Sequence, residues 1–162
     1  MIKMSVEYDF LSWTSFPSSL KLSSSEKDHV TGPYTPILPI KPMARLRIEV
    51  NAKQQNVVGP YVSGFQLRGG PKEPELATFC RVTLPKGTFD WLHFTSIEEV
   101  APPGIQWITG VVWSGTGGST WFDDLKIYQD DALIYSNDFS NWAPIIIPAE
   151  IITGAAMIKF IE

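Results

Sequence analysis

Three adjacent acidic pairs, Glu98-Glu99, Asp123-Asp124 and Asp130-Asp131, come nearest to catalytic chemistry in type and spacing. Two carboxylates facing each other about 5–9.5 Å apart across a cleft can hydrolyse a glycosidic bond. Neighbours on a strand point to opposite faces, so no single adjacent pair supplies both groups. Cys80 would need an imidazole beside it to act as a nucleophile, and only His29 and His93 exist. Within Thr78-Phe79-Cys80-Arg81-Val82 it reads instead as a small buried apolar residue. As the only cysteine, it excludes an intrachain disulfide and a thiolate zinc cluster. Neither histidine sits in a metal motif. The run Ser114-Gly115-Thr116-Gly117-Gly118-Ser119 lacks a phosphate-reaching lysine and precedes a strand, so it reads as a hairpin turn. No G-x-S-x-G occurs. These residues predict a protein that is not an enzyme.

The segment Trp121-Phe122-Asp123-Asp124-Leu125-Lys126-Ile127-Tyr128 carries more information. With Leu125 and Ile127 facing a core, strict alternation turns Asp123 inward and Asp124 outward. An inward carboxylate needs a partner, because an unpaired buried charge is costly. A cation, an arginine or backbone N–H groups near a sheet edge would each serve. A hard oxygen-ligated ion such as Ca²⁺ suits a carboxylate with loop carbonyls.

The elements that must position these residues are strands. Ala44-Arg45-Leu46-Arg47-Ile48-Glu49-Val50 alternates apolar and polar with a period of two, the mark of a half-buried antiparallel strand. One or two strands are expected within 5–22. Others are expected at 61–68, 77–84, 90–94, 105–113, 120–128 and 132–135. Gly and Pro clusters separate them, as at Gly69-Gly70-Pro71 and Pro102-Pro103-Gly104. The proline-rich residues 32–42 exclude a helix and a central strand, leaving an extended edge or a surface crossing. Short strands at this spacing predict an all-β jelly-roll β-sandwich of two antiparallel sheets.

Composition agrees. A chain of 162 residues suits one domain. At 44% hydrophobic and 19% charged it is globular. Its net charge of −4 gives no field that would draw phosphate backbones, so no nucleic-acid partner is expected. The N-terminus lacks the apolar core of a secretory signal. Pro144, Pro148, Glu150 and Lys159 argue against a membrane span in the isoleucine-rich tail.

The order of motifs resembles the jelly-roll carbohydrate-binding modules of the family 4, 9 and 22 type, which are galactose-binding-domain-like. The matching parts are Asp9-Phe10…Trp13, then residues 45–53, then Gly87-Thr88-Phe89-Asp90-Trp91, and a closing Trp121-Phe122-Asp123-Asp124-Leu125. The likeness spans roughly residues 8 to 128. It implies a non-catalytic protein that binds glycan at an extracellular or virion surface. It also implies a structural calcium, with Asp123 on the closing strand and Asp9 or Glu7 at the opening. The acidic residue usual after the opening Phe is Leu11 here. Sugar binding needs flat aromatic faces and a few placed polar groups. The set available is Trp107, Trp113, Tyr61, Gln66 and Arg68, with Arg47 on a neighbouring outward row. Trp91 matches a packing tryptophan.

The sandwich is expected over 1–136, with 137–162 an apolar extension. Asp138-Phe139…Trp142 echoes Asp9-Phe10…Trp13 as D-F-x-x-W. Unpaired β-branched residues recruit other chains. Residues 143–162 are therefore expected either to fold back on their own domain or to add a strand to a neighbour. The second case gives a homo-oligomer and an alternative function, a structural self-assembling subunit of a virion, tail or surface appendage.

Overall fold

The computed structural model describes residues 4–14, 18–25, 27–70, 77–140 and the backbone of Met157–Ile158. All regular elements among them are strands, arranged as two sheets. An eight-stranded sheet contains β1 (Ser5–Asp9), β2 (Ser19–Ser23), β5 (Arg45–Val57), β8 (Gly87–Thr95), β9 (Glu99–Val100), β11 (Ser119–Gln129), β12 (Ala132–Asn137) and β13 (Met157–Ile158). A five-stranded sheet contains β3 (Val30–Tyr34), β4 (Leu38–Pro39), β6 (Gly64–Gly70), β7 (Ala77–Thr83) and β10 (Trp107–Ser114). Pairing is antiparallel except between β13 and β1. The expected jelly-roll sandwich is the fold found.

Alternation builds the core. Leu46, Ile48, Val50 and Ala52 of β5 are fully buried and meet Phe65 and Leu67 of β6 and Ile108 and Val112 of β10. The period runs on past the expected end of that strand. Gln54 also turns inward, its Nε2 donating to the carbonyls of Pro85 (2.8 Å) and Gly87 (3.2 Å). The proline-rich stretch becomes edge: Pro33 sits in β3 at the border of the five-stranded sheet, and β4 pairs beside it with β10.

One expectation about β11 is corrected. Phe122 faces the core opposite Ala52, so Asp123, opposite Asn51, lies on the outer face of the eight-stranded sheet. The register with β5 shifts between Asp123 and Lys126, and Asp124 takes φ +49°. This β-bulge inserts one residue and resets parity, returning Leu125 and Ile127 to the core. Asp123 is nonetheless fully buried. The 10–14 segment covers it, and the backbone N–H of Thr14 donates to Asp123 Oδ2 at 2.7 Å.

At the C-terminal end Phe139 packs into the core, and Ser18 Oγ donates to its carbonyl at 2.5 Å. The D-F-x-x-W echo has a local basis. Asp9 Oδ1 accepts the Leu11 N–H (2.8 Å) and Asp138 Oδ1 the Ser140 N–H (3.0 Å), the same Asx turn twice. Trp142 lies outside the described residues. So does the 143–162 extension, apart from β13, whose Met157 and Ile158 pair with Ser5 and Val6 of the same chain. Among the described residues no helix is long and apolar enough to cross a membrane.

Candidate functional site

The outer face of the five-stranded sheet carries an open cleft of about 430 Å³. Its floor follows from alternation on two paired strands. Phe65 and Leu67 of β6 point to the core, so Gln66 and Arg68 point out. On β10, Val111 stands opposite Gln66 and Thr109 opposite Arg68, while Trp113 stands opposite Gly64. Thr31 and Tyr34 of β3 complete one wall, with His29 just before them. Gly64 is required there: a Cβ would stand 2.5 Å from Trp113 Cζ2 and 2.3 Å from the Val82 carbonyl oxygen. The indole therefore lies against bare backbone, and its Nε1 donates to the Val62 carbonyl at 2.9 Å.

Residues 60–62, a loop held by the glycine-rich run, also line the cleft. Thr116 is fully buried; its N–H donates to the Tyr61 carbonyl (3.1 Å), and its Oγ1 accepts the Tyr61 N–H (3.2 Å). Gly59 N–H donates to the Thr116 carbonyl at 3.1 Å. Beneath, Ser63, Ser114 and Thr120 join hydroxyls at 2.7 and 3.1 Å where the chain crosses between sheets. The run is thus the expected turn, and it fixes the backbone of Tyr61. The Tyr61 side chain is 53% exposed, and the His29 ring centroid lies 5.2 Å from its own.

Arg81 enters from β7 by a second bulge. Ala77 and Phe79 face the core, which under strict alternation would send Arg81 inward as well. Cys80 instead adopts φ +53°, and the register with β6 shifts between Phe65 and Leu67. Cys80 takes the core position and Arg81 turns to the cleft. The Arg81 Cζ lies 5.1 Å from the Trp113 ring centroid. Arg68 Cζ lies 5.7 Å from the Tyr34 ring centroid, and its Nη1 donates to the Tyr34 hydroxyl. Two polar atoms of the floor, Gln66 Oε1 and Arg68 Nε, are buried and have no hydrogen-bond partner among the described residues.

Of the residues named from sequence for glycan contact, the fold brings Tyr61, Gln66, Arg68 and Trp113 to this one cleft. Trp113 is only 8% exposed, so it supports the cleft more than it presents a face. Trp107 shares the same side of β10 but stands opposite Pro39 and Gly70, beyond the cleft lining. Arg47 is on the other sheet. It belongs to β5, across the core, where its Cζ sits 4.4 Å from the Tyr128 ring centroid and its Nη1 3.3 Å from Glu49 Oε1. Sequence reading missed His29, Tyr34 and Arg81. Tyr34 hides in the proline-rich edge, and Arg81 is exposed by a bulge.

The acidic residues are placed elsewhere. Arg45 gathers Glu98, Asp130 and Asp131 at 3.4, 3.7 and 3.5 Å in surface ion pairs, while Glu99 accepts the Cys80 N–H. Asp123 also accepts the Thr14 hydroxyl at 3.1 Å and, through Oδ1, the Asp124 N–H at 2.8 Å. Asp124 Oδ2 accepts from Asn51 Nδ2 at 3.0 Å and lies 3.0 Å from Thr14 Oγ1, whose one proton is shared between the two carboxylates. Asp9 Oδ2 accepts the Trp121 indole N–H at 2.6 Å, and Glu7 lies 3.7 Å from Lys21 Nζ. Asp123 thus has the N–H partners foreseen as one of its options. Among the described residues no three His, Cys, Asp or Glu side chains gather at metal-binding distance. Cys80 is fully buried, its Sγ 3.2 Å from the Leu46 carbonyl oxygen. Burial pushes the thiol up to about 11, so it stays protonated at neutral pH.

No protein-family model and no curated protein sequence matches this chain. Solved structures do. "Family 16 Carbohydrate Binding Module-2" superposes with a TM-score of 0.54 at 13% identity, covering 77% of this chain and 86% of that one. The CBM22-1 xylan-binding domain of Paenibacillus barcinonensis Xyn10C gives 0.56 at 11% identity, covering 82% and 86%. The CBM22-1–GH10 modules of Clostridium thermocellum Xyn10B, complexed with xylohexaose, give 0.53 at 13% identity; 82% of this chain matches 25% of that one. At such identities the likeness concerns architecture. The chain has the jelly-roll fold of the carbohydrate-binding modules.

Proposed function

We propose that this protein is a non-catalytic glycan-binding module acting at an extracellular or virion surface. The observation that carries the reading is the cleft on the five-stranded sheet. It combines the exposed ring of Tyr61, the ring of Tyr34 and the floor atoms Gln66 Oε1 and Arg68 Nε, which lack partners. Sugar hydroxyls need such placed polar groups, and sugar C–H faces need flat rings. The cleft is lined by no carboxylate and no thiol among the described residues, so a hydrolytic pair has no place in it.

Calorimetry against a panel of oligosaccharides tests the reading. Tyr61→Ala should remove most of the binding, whereas Arg47→Ala, on the far sheet, should leave it intact. A panel with no binder overturns the function. The alternative, a self-assembling structural subunit, needs residues 143–162 to pair with a neighbour. Of those residues the structure describes β13, which pairs with β1.

A further inference from the structure

Among the described residues, the basic residues of the cleft have no counter-charge. Arg45 is shared by three carboxylates and Arg47 is paired with Glu49. Arg68 and Arg81 have no ion pair among the described residues, and no Asp or Glu lines the cleft they share with His29. This happens in a chain of net charge −4. Each of the two guanidiniums is set against an aromatic ring, Arg68 on Tyr34 and Arg81 on Trp113. The Nη1 of Arg68 donates to the Tyr34 hydroxyl, which leaves its other N–H donors and the fork of Arg81 for an anion. Arg68 Nε is buried without a partner. A buried donor on a charged group is costly until something accepts from it. Arg81 reaches the cleft only because Cys80, a non-glycine residue, holds φ +53°. Such backbone strain is retained where it aims a side chain.

We propose that the cleft selects acidic saccharides, with a carboxylate or sulfate substituent held between Arg68 and Arg81 and the sugar ring against Tyr61. This rests on the glycan-binding reading above and narrows it to anionic ligands. Neutral oligosaccharides of the same length can use Tyr61 and Gln66 but leave both arginines unmatched.

The experiment is calorimetry on the full chain with a uronic-acid hexasaccharide, the same hexasaccharide after reduction of its carboxyls, a sulfated oligosaccharide, and inorganic sulfate alone. The acidic hexasaccharide should bind at least about tenfold more tightly than its reduced form, the worth of one charge-assisted contact. Arg81→Gln, at an exposed position, should erase that advantage without changing the melting temperature, and 300 mM NaCl should shrink it. Preference between the carboxylated and sulfated sugars identifies the substituent. Equal binding of the acidic and reduced hexasaccharides overturns the selectivity while the glycan-binding reading stands. Binding of inorganic sulfate as tight as that of the acidic sugars also overturns it, since the sugar then contributes nothing. No binding of any saccharide overturns both.

Discussion

Replacing Asp123 by alanine removes a fully buried carboxylate that anchors the 10–14 segment to β11. Its oxygens accept the Thr14 N–H at 2.7 Å, the Thr14 hydroxyl at 3.1 Å and the Asp124 N–H at 2.8 Å. Hydrogen bonds to a charged group contribute about 1.5–3 kcal/mol each. Thr14 is exposed, so water can replace part of what it loses, and Asp124 is half-buried. Counting the two backbone bonds at the lower end of that range gives a loss of about 3 kcal/mol. For a chain of this size each kcal/mol moves Tm by about 2–4 °C, so Tm should fall by about 10 °C. Asp124→Ala removes the acceptor beside Asn51 Nδ2 and Thr14 Oγ1 and places alanine at φ +49°. Its cost should be about 1 kcal/mol. Urea denaturation followed by tryptophan fluorescence measures both, and limited proteolysis within residues 10–14 reports whether the segment detaches. Equal midpoints for the two variants would refute the reasoning. The same samples decide the calcium that the module resemblance implies. With donors already on both Asp123 oxygens, chelation should leave the wild-type Tm unchanged. A fall in the wild type that is absent from Asp123→Ala would assign a cation instead.

Three further outcomes follow from the geometry. Gly64→Ala forces a Cβ to within 2.5 Å of Trp113 Cζ2, so it should cost about 1–3 kcal/mol and alter the near-UV tryptophan spectrum; an unchanged spectrum and midpoint would show that the indole does not rest there. Cys80 titrates near 11 when folded against 9.0 unfolded, so the unfolded chain ionises first; its contribution is complete below pH 9 and fades as pH rises towards 11. The stability gap between wild type and Cys80→Ala should therefore narrow over that window, and a gap independent of pH would contradict the burial of the thiol. Truncation after Trp142 removes β13 from the edge of β1 and should lower stability while leaving the mass measured by light scattering at one chain's worth; a full-length oligomer that dissociates on truncation would instead support strand exchange between subunits.

How much was legible follows from what alternation can encode. The period-two run of β5 gave both its strand and its core residues, because each apolar side chain there does face the second sheet. Gln66 and Arg68 were legible for the same reason, alternating with Phe65 and Leu67. The pairing of sheets was not. Arg47 and Arg68 both read as outward, yet they sit on opposite faces of the sandwich, and nothing in either strand's own sequence says to which sheet it belongs. Tyr34 was hidden because prolines on both sides mark it as edge, and an edge strand can still line a cleft.

The remaining misreadings share one physical cause, and that cause leaves a trace. Asp123 is expected inward and lies outward; Arg81, by the same rule, belongs with Phe79 and does not. In each strand one residue in the left-handed region, Asp124 at φ +49° or Cys80 at φ +53°, adds a step that alternation does not count. The trace is an odd interval between successive core residues: three from Phe122 to Leu125 on β11 and one from Phe79 to Cys80 on β7. A regular strand allows only even intervals on one face, so an odd interval within a continuous strand requires a bulge at those residues. Both bulges also place a charged side chain where regular pairing would not, Asp123 under the 10–14 segment and Arg81 in the cleft. The two positions with the least regular backbone in β7 and β11 are therefore the two that decide how a loop is anchored and what charge the cleft presents.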